Sequence, residues 1–241
     1  MIINADCLQV LKEMQPETIN AVVTDPPYCS GGFNEAGKSN AKGQGLRSET
    51  IREEGWFVND NMTTAGLVWL LRNVAVEVER LLKTGGSMLM FTDWRMVPHL
   101  APALESSGLR YQNMIVWDKM QVGLGRGFRS QHEIILHFTK GTGVYFDKST
   151  GNVLRSKRIN AQTRLHQTEK PVELLAQLVK VVTQPGDVVL DPFGGSMSTG
   201  ETCVRLGRNF VGIDKGRGYC EIGKERLKKA AQTIQTSLFN G

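Results

Sequence analysis

The sequence predicts a doubly wound α/β fold, a mostly parallel sheet of seven strands with one strand antiparallel. Three observations carry this. Short apolar runs without polar alternation recur along the chain, as strands covered by helices on both faces require. Helical patterns separate most of them, the alternation expected of parallel strands joined by crossovers. Two of the runs also break sharply on an acid and a proline, Asp25-Pro26 and Asp191-Pro192.

The elements follow in order. Apolar runs at 2–5 and 20–24 are the first two strands. Leu67, Leu70, Leu71, Val74, Val78, Leu81 and Leu82 form one stripe, predicting a helix over 67–82 that Gly85-Gly86 closes. A strand at 87–92 comes next. Strands 111–117 and 132–138 have no helical pattern between them, so they are expected to run antiparallel. Pro171, at a first-turn position, opens a helix over 171–183 whose Leu174, Leu175, Leu178 and Val182 share a face. Strand 187–190, helix 197–206, strand 209–213 and helix 218–234 complete the series. Residues 29–60, 118–131 and 141–166 fit no element, and loops this long in a compact domain are commonly functional or mobile. Residues 1–241 are therefore expected to form a single domain, with 29–60 as a mobile loop.

At 241 residues, 40% hydrophobic and 22% charged, the chain has a globular composition and can bury a sizeable core. No apolar run is long enough to span a membrane, and no leader pattern is read at the start. Cys7, Cys29, Cys203 and Cys220 are scattered without a C-x-x-C pair. That favours reduced thiols in a cytoplasm and argues against structural zinc. The net charge of +5 is uneven, because residues 118–170 carry ten basic side chains against four acidic ones. Such a block suggests a polyanion on one face. Its candidate contacts are Arg126 and Arg129 in the stretch DKMQVGLGRGFRSQ, then Arg155, Lys157, Arg158 and Arg164. The later excess from Lys215 to Lys229 reads as a solvated helix face.

The two acid-proline strand ends carry the chemistry. Proline fixes φ and offers no N–H, so Asp25-Pro26-Pro27-Tyr28 is a stiff exit whose carbonyls are free to accept. Alone, it is also compatible with an ordinary strand stop. Its functional reading is a fixed set of acceptors beside a flat stacking surface, suited to a planar substrate bearing N–H groups. The second end reads VVLDPFGGSMSTGETC, in which Asp191 and Pro192 lead into Phe193-Gly194-Gly195-Ser196 and a helix. A glycine-rich turn between strand and helix lets a ligand approach the backbone at a positive helix end. This turn has neither G-x-G-x-x-G nor the Walker lysine pattern, which disfavours nicotinamide and nucleoside triphosphates there. Asp214 ends the strand-like NFVGIDK about twenty residues on, where an acid can accept from ribose hydroxyls or simply cap a helix. On one parallel sheet both ends can face a single crevice.

D-P-P-Y at 25–28, H-Q-T-E-K-P at 166–171 and D-P-F-G-G-S at 191–196 together resemble the DNA amino-methyltransferases, in the motif order of their permuted beta class. The resemblance implies a Rossmann-like methyltransferase fold and S-adenosyl-L-methionine as cofactor. It implies double-stranded DNA as partner and methyl transfer to an exocyclic amino nitrogen of a flipped base. Asp25, Pro26, Pro27 and Tyr28 match the catalytic motif. Asp191, Phe193, Gly195 and Ser196 match the cofactor loop, Asp214 the ribose-binding acid and Asp6 the acid that contacts the cofactor's adenine. His166, Thr168, Lys170 and Pro171 match a segment held near the methionine carboxylate. Three positions depart from the pattern: Met197 replaces glycine, Gln167 proline and Glu169 glutamine. Met197 is expected to make a positive φ costly in the loop.

An acid first in D-P-P-Y is commoner among the adenine enzymes of this family, and serine among the cytosine-N4 enzymes, so adenine is preferred. Release-factor glutamine methyltransferases share a similar tetrapeptide with asparagine first, but their cofactor motif precedes it. A third reading is a DNA-binding subunit with a decayed site, against which the intact tetrapeptide speaks. Cys29 follows tyrosine rather than proline and is read as a small residue near the pocket, not a nucleophile. His132 and His137 are read as core or rim residues and not as ligands. The mobile loop 29–60 and the basic loops of 118–166 are the expected DNA-recognition elements, and with no longer insert a short target or a homodimer on a symmetric site is expected.

Overall fold

A computed structural model of the chain describes residues 1–28, 63–123, 126–159 and 169–239, with side chains described as far as residue 234. The elements are β1 (Ile2–Asn4), α1 (Cys7–Glu13), β2 (Ile19–Thr24), α2 (Thr64–Leu81), β3 (Leu82–Thr92), α3 (Val97–Glu105) and β4 (Arg110–Asp118). After them come β5 (His132–Thr139), β6 (Val153–Arg155), α4 (Val172–Val182), β7 (Val188–Asp191), α5 (Ser198–Arg205), β8 (Asn209–Asp214) and α6 (Arg217–Phe239). Among the described residues all strands join one sheet, in the order β1-β8-β7-β2-β3-β5-β4-β6. Only β5 runs against the others, pairing antiparallel with both β3 and β4.

Side-chain alternation along the strands feeds two apolar cores, one on each face. Val22, Met88, Met90 and Leu136 pack with α1, α2 and α3, through residues such as Leu11, Leu71, Val78 and Leu100. Ala21, Val23, Leu89, Phe91 and Ile135 point the other way, onto Leu174, Leu178, Val182 and Cys203 of α4 and α5. The order of β7 and β2 matters most. From β7 the chain continues towards one edge of the sheet, through β8, and from β2 it continues towards the other, through β3. The carboxyl ends of these neighbours therefore diverge, which opens a crevice between them, the usual ligand site of such sheets.

The sheet has one strand more than the seven expected. The addition is β6, which lies in the unassigned stretch 141–166 and pairs parallel with β4. At three residues it is too short to show a period. Gly85-Gly86 also has a different place from the one expected, lying inside β3 rather than closing α2. Gly85 has φ +86°, and a Cβ there would sit 2.7 Å from Val144 Cγ2. The helix instead ends where Leu82 turns extended. His137 is buried in β5, where it shares a hydrogen bond of 3.1 Å with Ser87, and burial pushes its imidazole down to about 4. No helix among the described residues is long and apolar enough to cross a membrane.

Met197 was expected to make a positive φ costly, and it adopts φ 60° at the start of α5. A left-handed L-residue costs roughly 1–2 kcal/mol. The side chain offsets this by burial, in a slot walled by three glycines. A Cβ on Gly194 or Gly212 would lie 2.5 Å from Met197 Sδ, and one on Gly223 only 2.3 Å from its Cγ. Gly223→Ala is therefore expected to destabilise the protein by about 1–3 kcal/mol through overpacking. In a Met197→Gly background the same change should be neutral or stabilising, since alanine is the better helix former. Urea unfolding of the four proteins measures the coupling. Equal effects in both backgrounds would contradict the slot.

Candidate active site

Four acids stand at neighbouring strand ends. Asp25 follows β2, Asp191 and Asp214 end β7 and β8, and Asp6 follows β1. Each has distinct work. Asp191 is buried and its Oδ1 accepts from Thr24 Oγ1 at 2.6 Å and from the Phe193 N–H at 3.1 Å, so it ties the end of β2 to the glycine turn. Burial pushes it up to about 7, against the pull of hydrogen bonds from Thr24, the Phe193 N–H and Thr199. Asp214 accepts from the Gly195 N–H at 2.9 Å and the Gly216 N–H at 2.7 Å, fixing the turns on both sides of itself. Asp6 caps α1 by accepting from the Gln9 N–H at 3.2 Å. Its carboxylate also lies 2.5 Å from Lys215 Nζ, whose hydrogen bond holds its pKa below the usual aspartate value.

Lys170, expected beside the cofactor's methionine end, is placed against the D-P-P-Y motif. Its buried ammonium donates to Asp25 Oδ2 at 2.5 Å and lies 3.3 Å from Glu133 Oε2. It also sits 5.3 Å and 5.0 Å from the ring centroids of Tyr28 and Phe91, within cation–π range. The Tyr28 hydroxyl reaches Asp25 Oδ1 at 2.6 Å and Glu133 Oε2 at 3.1 Å. Lys119 Nζ closes the set, 2.7 Å from Glu133 Oε1. Two carboxylates and two ammoniums thus balance in a largely buried cluster. Burial raises the Asp25 pKa and Lys170 opposes it. Burial also acts to raise Glu133, but Lys170 and Lys119 more than offset it and hold that carboxyl below the usual glutamate value.

Glu133, Lys119 and Arg226 were not among the residues read from sequence. An acid directly before the apolar run Ile134-Ile135-Leu136 of HEIILHFT was the available signal for Glu133, because a strand covered on both faces hides a charge only with a partner. Arg226, buried on α6, ion-pairs with Glu169 and donates to Ser196 Oγ at 3.3 Å. Glu169, one of the departures in the 166–171 segment, is thereby joined to the cofactor loop. The basic candidates gather near the same sheet end. Arg126 and Arg129 lie on the exposed β4–β5 connection, and Arg155 ends β6 with its Nε 3.7 Å from Asp118 Oδ2. Lys157 is exposed just beyond, and Arg158 reaches Gln121 Oε1 at 3.4 Å. His166, Thr168, Arg164, Cys29 and residues 29–60 lie outside the described residues.

A glycine turn tied to the acid that ends the next strand, beside an acid-proline end at the switch point, fits an α/β enzyme using a nucleoside cofactor. The chain belongs to the DNA methylase family of N6 and N4 enzymes, whose model matches residues 19–153 and 146–225. It is an S-adenosylmethionine-dependent DNA amino-methyltransferase of adenine N6 or cytosine N4. Among curated proteins it is similar to the type II methyltransferase M2.LlaDCHI of Lactococcus lactis subsp. cremoris, 28% identical over 96% of this chain and 90% of that protein. It is also 28% identical to M2.DpnII of Streptococcus pneumoniae, covering 97% and 91% respectively. The solved M1.HpyAVI–SAM complex shares the fold, with a TM-score of 0.67 at 24% identity, covering 94% of this chain and 99% of that one.

The residues fit the cofactor. Asp214 is only half-buried and keeps acceptor capacity for ribose hydroxyls after its two backbone contacts. Asp6 stands one strand away with a carboxylate that can accept from an amino group. The pKa of Asp191 also makes a prediction. A carboxyl whose folded value of about 7 exceeds its ordinary 3.8 binds more protons folded than unfolded. Its contribution to stability is full below the ordinary value and is lost as pH rises towards 7. Between pH 5 and 8 the unfolding free energy of Asp191→Asn should therefore fall less than that of the unaltered protein. Denaturant titrations at the two pH values check this, and parallel pH dependences would refute it.

Proposed function

We propose that the chain methylates adenine N6 in double-stranded DNA, within the single domain 1–241, as the modification enzyme of a restriction–modification pair. The names of the type II relatives support the second part. The carboxylate of Asp25 supports the first, since the chain has an acid at the position where the cytosine enzymes commonly have serine. Mass spectrometry of nucleosides from DNA of expressing cells tests the base. N6-methyladenine is expected, and N4-methylcytosine alone would reverse the assignment. Long-read sequencing of the same DNA reports the target sequence.

Bound S-adenosylmethionine supplies an electrophilic methyl on a sulfonium. The chain's own residues prepare the amine. An exocyclic amino nitrogen is a poor nucleophile because its lone pair is delocalised into the ring. Asp25 accepting one N–H and the Pro26 carbonyl the other localises that pair and aims it. Alignment of this kind can contribute roughly 7–11 kcal/mol. Flipping the base costs a few kcal/mol, and stacking on Tyr28 returns about 1–3 kcal/mol. Lys170 gives Asp25 a fixed orientation and opposes the upward push of burial on its pKa, while Glu133 holds Lys170 and Tyr28 in place. Asp6, His166, Thr168, Phe193, Gly195, Ser196 and Asp214 hold the cofactor; Asp191 fixes the loop that does so.

Asp25→Ala should cost roughly 10²–10³-fold in single-turnover methyl transfer, as loss of one preorganised polar partner does. Asp25→Asn should stay measurably above alanine. Its Oδ1 can accept from Lys170, and its amide can donate to the Tyr28 oxygen once that hydroxyl turns to Glu133. If asparagine is as inactive as alanine while both bind cofactor and DNA, the charge itself is required. At the other strand end, Asp214→Ala should weaken S-adenosylmethionine binding by about 1.5–3 kcal/mol in calorimetry. An unchanged dissociation constant removes Asp214 from the site.

A further inference from the structure

The connection between β4 and β5 carries an aromatic ring that stands exposed. Phe128 has a relative exposure of 109%, the highest of the large apolar side chains among the described residues. It stands between exposed Arg126 and Arg129. Met120 and Val122 on the same connection are exposed as well. The stem beneath is ordered by backbone pairs, Lys119 N–H to Gln131 O at 2.9 Å and Gly123 N–H to Ser130 O at 2.9 Å. Asp118 Oδ1 accepts from both Gln131 Nε2 and the Met120 N–H at 2.8 Å. A well-paired stem holding a bare phenyl ring in water needs a reason beyond folding, because such a ring contributes to stability only when buried.

Position supplies one. The stem leaves the sheet at the carboxyl end of β4, the same end at which Asp25 and Asp191 stand, since β4 and β2 run the same way. Glu133, which touches Tyr28 and Lys170, lies only five residues after Phe128, so the ring's Cα is within about 18 Å of the pocket wall. Beside the stem, β6 delivers Arg155, Lys157 and Arg158. An apolar ring between cations, on a firm stalk beside a pocket that takes a single base, has the chemistry of a wedge for stacked bases.

We propose that Phe128 inserts into the base stack of duplex DNA where the target base leaves it, while Arg126 and Arg129 grip the flanking phosphates. The inference rests on the chain acting on a flipped base in DNA. A ring in the vacated stack replaces lost base–base contact and slows return of the base.

The test uses the full chain and duplexes carrying the target sequence mapped by long-read sequencing. One set has 2-aminopurine in place of a target adenine, or pyrrolocytosine in place of a target cytosine. Phe128→Ala should lower kcat/KM by about 5- to 150-fold, the range that stacking of one base covers. It should also abolish most of the fluorescence rise that reports unstacking. Phe128→Trp should restore both. The log–log salt slope of binding should not change for Phe128→Ala, but should shrink by roughly 0.9 for each of Arg126→Ala and Arg129→Ala. Phe128 is exposed, so its variants should melt with the unaltered protein. Unchanged kinetics and fluorescence in Phe128→Ala would overturn the wedge. So would a loss equally large on random-sequence duplex, or altered self-association with normal DNA kinetics. An unaltered protein that methylates DNA without any fluorescence rise would instead overturn base flipping itself.

Discussion

The hydrogen bond between Thr24 and Asp191 joins the two strands on which everything else depends. At 2.6 Å it spans residues 167 apart in sequence and lies where β2 and β7 part company. At the other end of this half, β1 and β8 continue into the helices α1 and α6. At β2 and β7 the connections leave in opposite directions, and the polar ends of both strands are left facing one crevice. A buried carboxyl is an expensive anchor, and its raised pKa is the sign of that cost. In return the glycine turn and the D-P-P-Y exit hold one relative position, which methyl transfer between two bound molecules demands.

Lys170 extends the constraint to a third segment. It enters from the start of α4, opposite the two strand ends, and its ammonium is shared by Asp25 and Glu133. Buried ion pairs add little net stability, because desolvation consumes most of the attraction. Their value here is geometric, since an unpaired Asp25 in the same place would tend to take up a proton. Arg226 performs a parallel task one residue earlier, tying Glu169 to Ser196 of the cofactor loop. Short segment 169–171 therefore contacts both halves of the site through adjacent side chains.

Much of the fold was legible because strands covered on both faces leave no polar alternation. Long stripes such as Leu67 to Leu81 are unambiguous as well. Element ends were less so. Gly85-Gly86 looks like a helix stop, and only the approach of Val144 in space explains why glycine is needed within β3. Neither α1, with seven residues, nor β6, with three, is long enough to show a period. In the site, Asp25, Asp191 and Asp214 were readable from their place after strands and before turns. Lys170 was found by its motif but its contacts with Asp25 and Glu133 were not, because a motif gives proximity in sequence and not the direction of a long side chain. Glu133 shows the reverse case. Its role depends on partners 14, 37 and 105 residues away, and no local pattern announces them.

The pairing of β1 with β8 bears on how such a chain is made. Ile2–Asn4 are hydrogen-bonded beside Gly212–Asp214, and the Met1 ammonium donates to Phe210 O at 2.6 Å. The first strand of the sheet thus waits for a partner 210 residues further along the chain, since Ile2 lies beside Gly212. At about 5–20 residues per second that interval is roughly 10–40 s. Meanwhile β2 and β3 can pair, while the cofactor half of the sheet cannot close. With only three residues, β1 is a poor template for wrong partners during the wait. Its late docking makes completion of the cofactor half a signal that synthesis of the whole sheet has finished.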